Sequence, residues 1–139
     1  MKLLMIYCNT FSYNPAIKNL EEVEEINEGA TFEKAQVAFI QVEESDEISG
    51  REKSIEKKLL NFTKWIARKN ETKNIVLHSF AHLSESKASA EFTKSLFDRV
   101  EMRLRNVGYD VAQTPFGYFL DLQVDAPGIS LARVFKNFE

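Results

Sequence analysis

Two stretches of this chain repeat their apolar residues at helical spacing, and that pair of stripes does most to limit what it can fold into. Within residues 52–70, Ile55, Leu59, Phe62 and Ile66 recur three or four positions apart with Lys and Glu between them, which marks one apolar face on an amphipathic helix. Residues 88–107 repeat the pattern with Phe92, Leu96, Val100 and Leu104, and Gly108 follows as a left-handed cap. An apolar stripe needs a surface to cover. The run between the two helices, residues 74–80, has the length and composition of a buried strand, so the alternation predicts a sheet covered by helices.

The remaining elements fit that plan. Residues 2–7 read as an opening strand, apolar on both faces and therefore central, broken by the polar stretch at 9–14 and by Pro15. Residues 17–34 hold Glu21, Glu22, Glu24, Glu25 and Glu28 and read as an exposed connection or edge hairpin, with a solvated acidic face as the plain interpretation. A second strand is expected at 36–43, ended by the polar stretch through Gly50, with two more at 110–113 and 118–124. Residues 130–138 are most simply a short terminal helix. The expected fold is a single α/β domain over residues 1–139, a mixed sheet covered by two long helices and a short C-terminal one. No glycine-rich phosphate loop follows any strand, which excludes a doubly wound nucleotide fold.

Composition sets further bounds. With 139 residues, 44% of them hydrophobic, the chain can fill one core and not two. The lone Cys8 can form no internal disulfide, so strand packing and a reducing cytoplasm are expected. The apolar start is too short for a signal peptide or membrane span. A net charge of −3 provides no global field for phosphate, so any nucleic-acid contact has to be local, and another domain or subunit would supply most of the binding.

Two segments look unlike ordinary packing. Phe80-Ala81-His82-Leu83-Ser84 follows a hydrophobic strand and precedes a helix, and Thr114-Pro115-Phe116-Gly117-Tyr118-Phe119 is a turn with a flexible Gly among aromatics. If their strands are neighbours, their ends build one pocket. His82 is the best single candidate for a working side chain, because imidazole can both donate and accept hydrogen bonds; the competing reading is a loop histidine held by its backbone. His78, inside the strand, reads as structural. No nucleophile–His–Asp spacing and no zinc pattern is legible, and neither metal nor cofactor is expected. Phe116, Tyr118 and Phe119 offer planes on which a base could stack, with core packing as the alternative. Strand alternation puts Tyr118, Leu120, Leu122 and Val124 on one face and Phe119, Asp121, Gln123 and Asp125 on the wetter one.

At these segments the chain resembles the amino-terminal editing domain of archaeal-type threonyl-tRNA synthetases. The matching stretches are Leu3-Leu4-Met5-Ile6, Val37-Ala38-Phe39-Ile40 with Val42-Glu43, the Phe-Ala-His-Leu-Ser segment, and Ala112 through Tyr118 with its Pro-Phe-Gly-Tyr. The resemblance implies a D-aminoacyl-tRNA deacylase-like fold, usually a homodimer. It implies a pocket for the acceptor end of threonine tRNA carrying L-serine, whose ester is hydrolysed by water with help from the terminal ribose hydroxyl and no metal. His82 matches the pocket histidine, Ala38 and Phe39 lie in the strand whose backbone lines the pocket, and Phe80, Ala81, Phe116, Gly117, Tyr118, Phe119 and Leu120 are the further expected contacts. The partner would be the remainder of a threonyl-tRNA synthetase, and the chain's ending without a linker fits an excised piece of one. Such a second sieve is needed because one methyl group gives only about 1–3 kcal/mol of discrimination.

The chain departs from the resemblance at three positions. Where the family carries a second Tyr and a Lys after Pro-Phe-Gly-Tyr, this chain has Phe119 and Leu120, and where it carries Leu-Ala-Glu near the end, this chain has Leu131-Ala132-Arg133. Arg133, Asp121 or Gln123 would have to reach the pocket to restore a polar contact. Two other readings therefore stay open, a non-catalytic module for dimerisation or acceptor-end binding, and a D-aminoacyl-tRNA deacylase.

Overall fold

The computed structural model describes residues 1–48 and 50–139. Ser49, inside the polar stretch expected to end the second strand, lies outside the described residues. Among the described residues six strands form one sheet: β1 Lys2–Lys18, β2 Ala30–Gln41, β3 Asn74–Ser79, β4 Asp110–Gln113, β5 Tyr118–Asp125 and β6 Arg133–Asn137. Helix α1 (Glu52–Lys69) joins β2 to β3, and α2 (Ala90–Asn106) joins β3 to β4. The order is β4-β3-β2-β1-β5, with β6 also on β1. The pairs β2–β3 and β3–β4 are parallel, whereas β1 is antiparallel to β2, β5 and β6. This is the mixed sheet with two long helices that the apolar stripes predict, and no helix among the described residues is long and apolar enough to cross a membrane.

Three expectations need correction. The second strand starts at Ala30, inside the segment read as a connection, because residues 30–35 pair with the extended part of β1 (Tyr13↔Ala30 to Cys8↔Ala35). The opening strand does not stop at residue 7. It runs on to Lys18, pairing with β6 along its first residues (Lys2↔Asn137 to Ile6↔Arg133) and with β5 along its last (Thr10↔Asp125 to Lys18↔Tyr118). Pro15 is tolerated because the β1–β5 register shifts between Pro15 and Ile17, where a bulge needs no donor from that residue. The C-terminal helix is absent. Ser130–Ala132 makes one 3-10 turn, and Arg133–Asn137 is a strand. Val134 and Phe138, the residues that pack on the core from this segment, are four apart, a spacing that suits one face of a strand as well as one face of a helix. The free edge of β1's first half decides between them, because its backbone groups need partners.

The core lies on both faces of the sheet. Both helices contribute to one cluster, in which Ile55, Leu59 and Ile66 of α1 and Leu96, Phe97, Val100 and Leu104 of α2 meet Leu3, Met5, Ala38, Ile40, Ile75 and Leu77, all buried. The opposite face is packed by Cys8, Phe11, Ala35, Val37, Phe39 and Val76. Cys8 packs there as expected, and burial pushes its thiol up to about 11. The helix ends follow the sequence closely. Gly108 takes φ +95°, and the Gly108 and Tyr109 amides return to the Arg105 and Leu104 carbonyls, a Schellman motif. Helix α1 ends in the same pattern with a non-glycine residue, Glu71 at φ 55°.

Parallel strands share one direction, so β2, β3 and β4 all end at the same edge of the sheet. The His82 loop leaves β3 there and the Pro-Phe-Gly-Tyr turn leaves β4 there, the edge at which parallel sheets commonly hold ligands.

Candidate functional site

At that edge lies a cleft of about 670 Å³, inside the range of roughly 300–1,000 Å³ usual for small-molecule sites. Phe80, Ala81 and His82 line it together with Phe116, Gly117, Tyr118, Phe119 and Leu120, so the two segments singled out in the sequence converge. Ile40, Gln41, Val42, His78 and Thr114 line it from the strand ends, Ala88, Ser89, Ala90 and Thr93 from the start of α2, and Asn19 and Leu20 from the segment after β1.

The His82 loop is tied to β2 by an amide that the sequence reading passed over. Gln41 is 3% exposed. Its Oε1 accepts from the Leu83 and Ser84 amides, each at 2.7 Å, and its Nε2 donates to the Ser84 and Ser86 carbonyls, each at 2.8 Å. Both ends of the amide are used, which fixes its orientation. Glu43 adds a second tie, accepting from Ser84 Oγ at 2.7 Å and from Lys2 Nζ at 3.0 Å. Burial alone would raise its carboxyl, but these donors and the Met1 ammonium outweigh it and hold the group at about 2. Glu47 binds the amide and hydroxyl of Ser89, whose Oγ caps the Phe92 amide at the start of α2. The loop between β3 and α2 is thus pinned along its length. A polar residue near the end of an apolar strand run was the available signal for Gln41.

His82 itself is exposed, with its ring edge-on to Phe80 at 5.1 Å between centroids. Phe80 rests in turn on Phe39 at 5.2 Å, and Phe39 on His78 at 5.0 Å. His78 is buried, and its Nδ1 meets Thr114 Oγ1 at 2.9 Å, joining the end of β3 to the turn after β4. Burial pushes the His78 imidazole down to about 4, so it is neutral at physiological pH. Phe116 packs edge-on against Phe97 of α2 at 6.3 Å.

Ala38 and Phe39 are not cleft residues. Both are buried in the middle of the sheet, on opposite faces, and β2 reaches the cleft only from Ile40 onward. Phe39 lies one step behind the lining and meets it through the Phe80 ring. Tyr118 lines the cleft, but its hydroxyl is occupied: it accepts from the Ile26 amide at 2.9 Å and donates to the Glu24 carbonyl at 2.5 Å. Gly117 takes φ +85°, and its carbonyl accepts from the Asn19 and Leu20 amides. The segment after β1 is therefore strapped over the turn, and its Asn19 and Leu20 line the cleft.

The departures keep their consequence. Phe119 is 54% exposed, Leu120 presents an apolar side chain, and Arg133 donates to the Pro127 carbonyl at 2.7 Å, away from the cleft. Gln123 is engaged by Ser12 across the β1–β5 pair, and neither it nor Asp121 lines the site. Lys87, on the loop before α2, is the one lysine or arginine among the lining residues. No group of three or more potential metal ligands gathers among the described residues.

Similar proteins share both the sequence pattern and the fold. A solved structure titled "c-Myc DNA Unwinding Element Binding Protein" aligns with all of this chain and 99% of its own at a TM-score of 0.66 and 11% identity, a likeness of fold alone. Threonine–tRNA ligases of Thermococcus onnurineus and Pyrococcus furiosus are each 30% identical over 140 residues, covering 99% of this chain and 22% of the ligase. The ligase of Hyperthermus butylicus is 30% identical over 146 residues, covering all of this chain and 23% of its own length. The chain thus spans between a fifth and a quarter of the relatives it matches. The family profile described as the archaea-specific editing domain of threonyl-tRNA synthetase matches residues 1–138, and the chain belongs to that family.

Proposed function

We propose that the cleft receives the aminoacyl-adenosine end of a threonine tRNA mischarged with L-serine and that the domain hydrolyses the ester, within or alongside a threonyl-tRNA synthetase in the cytoplasm and as a homodimer. The observation that carries this reading is the convergence of the His82 loop and the Pro-Phe-Gly-Tyr turn on one cleft in a member of an editing-domain family. The apolar faces of Phe116 and Phe119 suit an adenine.

In this reading His82 orients the attacking water or the terminal ribose hydroxyl, and the proton leaves through solvent or the substrate's own hydroxyl. The acyl end sits against Leu120, whose bulk narrows the cleft. A serine side chain is admitted, and the threonine methyl group is resisted, which is the discrimination that a synthetic site limited to about 1–3 kcal/mol cannot supply by itself. The test is release of serine from seryl-tRNA and of threonine from threonyl-tRNA, with the wild-type chain and His82→Ala. Serine release at least tenfold faster than threonine release, and lost in the variant, supports the proposal; an intact seryl ester after hours of incubation refutes it.

One observation favours a second reading. Leu120 places an apolar group in the cleft, and Arg133 does not reach it, as a module that binds the acceptor end without turnover would allow. Tight binding of a nonhydrolysable seryl-adenosine with no turnover would support that reading.

A further inference from the structure

Helix α1 carries charge out of proportion to the rest of the chain. Lys53, Lys57, Lys58, Lys64, Arg68 and Lys69 lie on it against only Glu52 and Glu56. With six basic and two acidic residues in the helix and −3 on the whole chain, the remainder carries −7. Both acids are turned toward α2, where Arg99 Nη2 meets Glu52 at 2.8 Å and Glu56 meets Arg99 Nε and Arg103 Nη1 at 2.6 and 2.7 Å. None of the six cations of α1 has a carboxylate within ion-pair distance among the described residues. The solvent face of α1 is an uncompensated cationic surface on an otherwise acidic protein.

Its arrangement is linear. The spacings among Lys53, Lys57, Lys64 and Arg68 bring them into one row along the helix, about 22 Å long at 1.5 Å per residue. Beside this row Trp65 is 40% exposed and stacked on Phe62 at 5.6 Å, and Lys58 and Lys136 hold their ammonium groups 5.8 and 5.6 Å from the Phe138 ring. A row of cations matches a ligand whose negative charges also repeat along a line. A membrane surface would ask for apolar side chains to insert, and Trp65 is the only large hydrophobic residue exposed on this helix. The position fits as well. Gln41 and Val42 line the cleft, the 3-10 turn Glu44–Glu47 follows them and binds Ser89 through Glu47, and α1 starts a few residues later, so its first turn lies at the cleft end of the sheet.

We infer that the solvent face of α1 is a second nucleic-acid surface, which holds the phosphate backbone of the tRNA whose aminoacylated end enters the cleft. The inference rests on the tRNA reading of that cleft. It gives the local contact that a chain of net negative charge needs. Recognition is by phosphate charge and duplex shape, independent of base sequence.

The test is binding of uncharged tRNA to the 139-residue chain between about 50 and 200 mM salt, where phosphate contacts make affinity fall steeply. Wild type is compared with a chain carrying Lys53→Gln, Lys57→Gln, Lys64→Gln and Arg68→Gln. The slope of log affinity on log salt should flatten by about one unit for each phosphate contact removed, so by three to four, with affinity at the lowest salt down at least tenfold. A chain carrying Lys53→Arg, Lys57→Arg and Lys64→Arg should keep the wild-type slope, and single Arg68→Glu reads the effect if the fourfold variant fails to fold. Cleavage of seryl-adenosine, which has no duplex to hold, should be unchanged in the fourfold variant. Equal affinity and slope in wild type and variant would overturn the inference, as would tighter binding of equimolar phosphatidylserine–phosphatidylcholine vesicles than of tRNA. Wild type that binds tRNA through α1 yet leaves the ester intact would refute the cleft reading alone.

Discussion

Replacing Gln41 by Leu removes a buried side chain's hydrogen bonds while nearly keeping its shape, and the geometry sets the size of the effect. Four hydrogen bonds of 2.7–2.8 Å disappear, two from the Leu83 and Ser84 amides and two to the Ser84 and Ser86 carbonyls. At about 1 kcal/mol net each the loss approaches 4 kcal/mol. Leu83, Ser84 and Ser86 are only half-buried, so water recovers part of it and the expected destabilisation is about 2–3 kcal/mol. With a urea slope of about 2 kcal/mol per molar, the unfolding midpoint should fall by roughly 1–1.5 M. Amide exchange at Leu83 and Ser84 should accelerate well beyond that global change, because the loop opens without unfolding. The kinetic signature is a drop in kcat for serine release with little change in KM, since the loop that presents His82 loses its tie and not its contacts with substrate. A midpoint within about 0.25 M of wild type, or unchanged exchange at both amides, would show that Gln41 does not hold this loop.

Other expectations follow from single positions. His78 stays neutral when folded because burial lowers it to about 4, whereas in the unfolded chain it takes a proton near 6.5. Its contribution is therefore complete above pH 6.5 and is lost as the pH falls toward 4, by about 2 kcal/mol at pH 5; the fall in urea midpoint from pH 7 to pH 5 should be about 1 M smaller in His78→Gln than in wild type. Gly117→Ala forces a side chain into φ +85° with a Cβ 2.8 Å from Val23 Cγ1, and should cost about 1–2 kcal/mol and loosen the acidic segment, seen as faster exchange at the Asn19 and Leu20 amides. Glu71→Gly relieves a left-handed residue at φ 55° and should raise stability by about 0.5–1 kcal/mol with no change in serine release; a fall in stability would contradict the strain assigned there.

The parts of the fold that repeat a period were legible in the sequence, and the parts set by partners were not. The stripes through Ile55, Leu59 and Ile66 on α1 and through Leu96, Val100 and Leu104 on α2 specify helices whatever surrounds them, and Gly108 marks its own cap because few other residues accept its φ. The continuation of β1 past Pro15 depends on a register shift against β5, and the strand at 133–137 depends on the open edge of β1; neither partner can be inferred from the local pattern. The site divides the same way. His82 and the Pro-Phe-Gly-Tyr turn announce themselves by composition, and the parallel pairing of β2, β3 and β4 brings them together. Gln41 gains its meaning only from the loop amides and carbonyls across from it, and Ala38 and Phe39 lie one step behind the cleft lining.

The central claim is that one cleft between the His82 loop and the Pro-Phe-Gly-Tyr turn receives an aminoacylated adenosine. A crystal structure of the chain with a nonhydrolysable 3′-seryl-amino adenosine tests it most directly. The ligand should lie with its adenine against Phe116 or Phe119 and its seryl group between His82 and Leu120. Density for the ligand at any other surface, or a cleft still filled by its own side chains at saturating ligand, would contradict the claim.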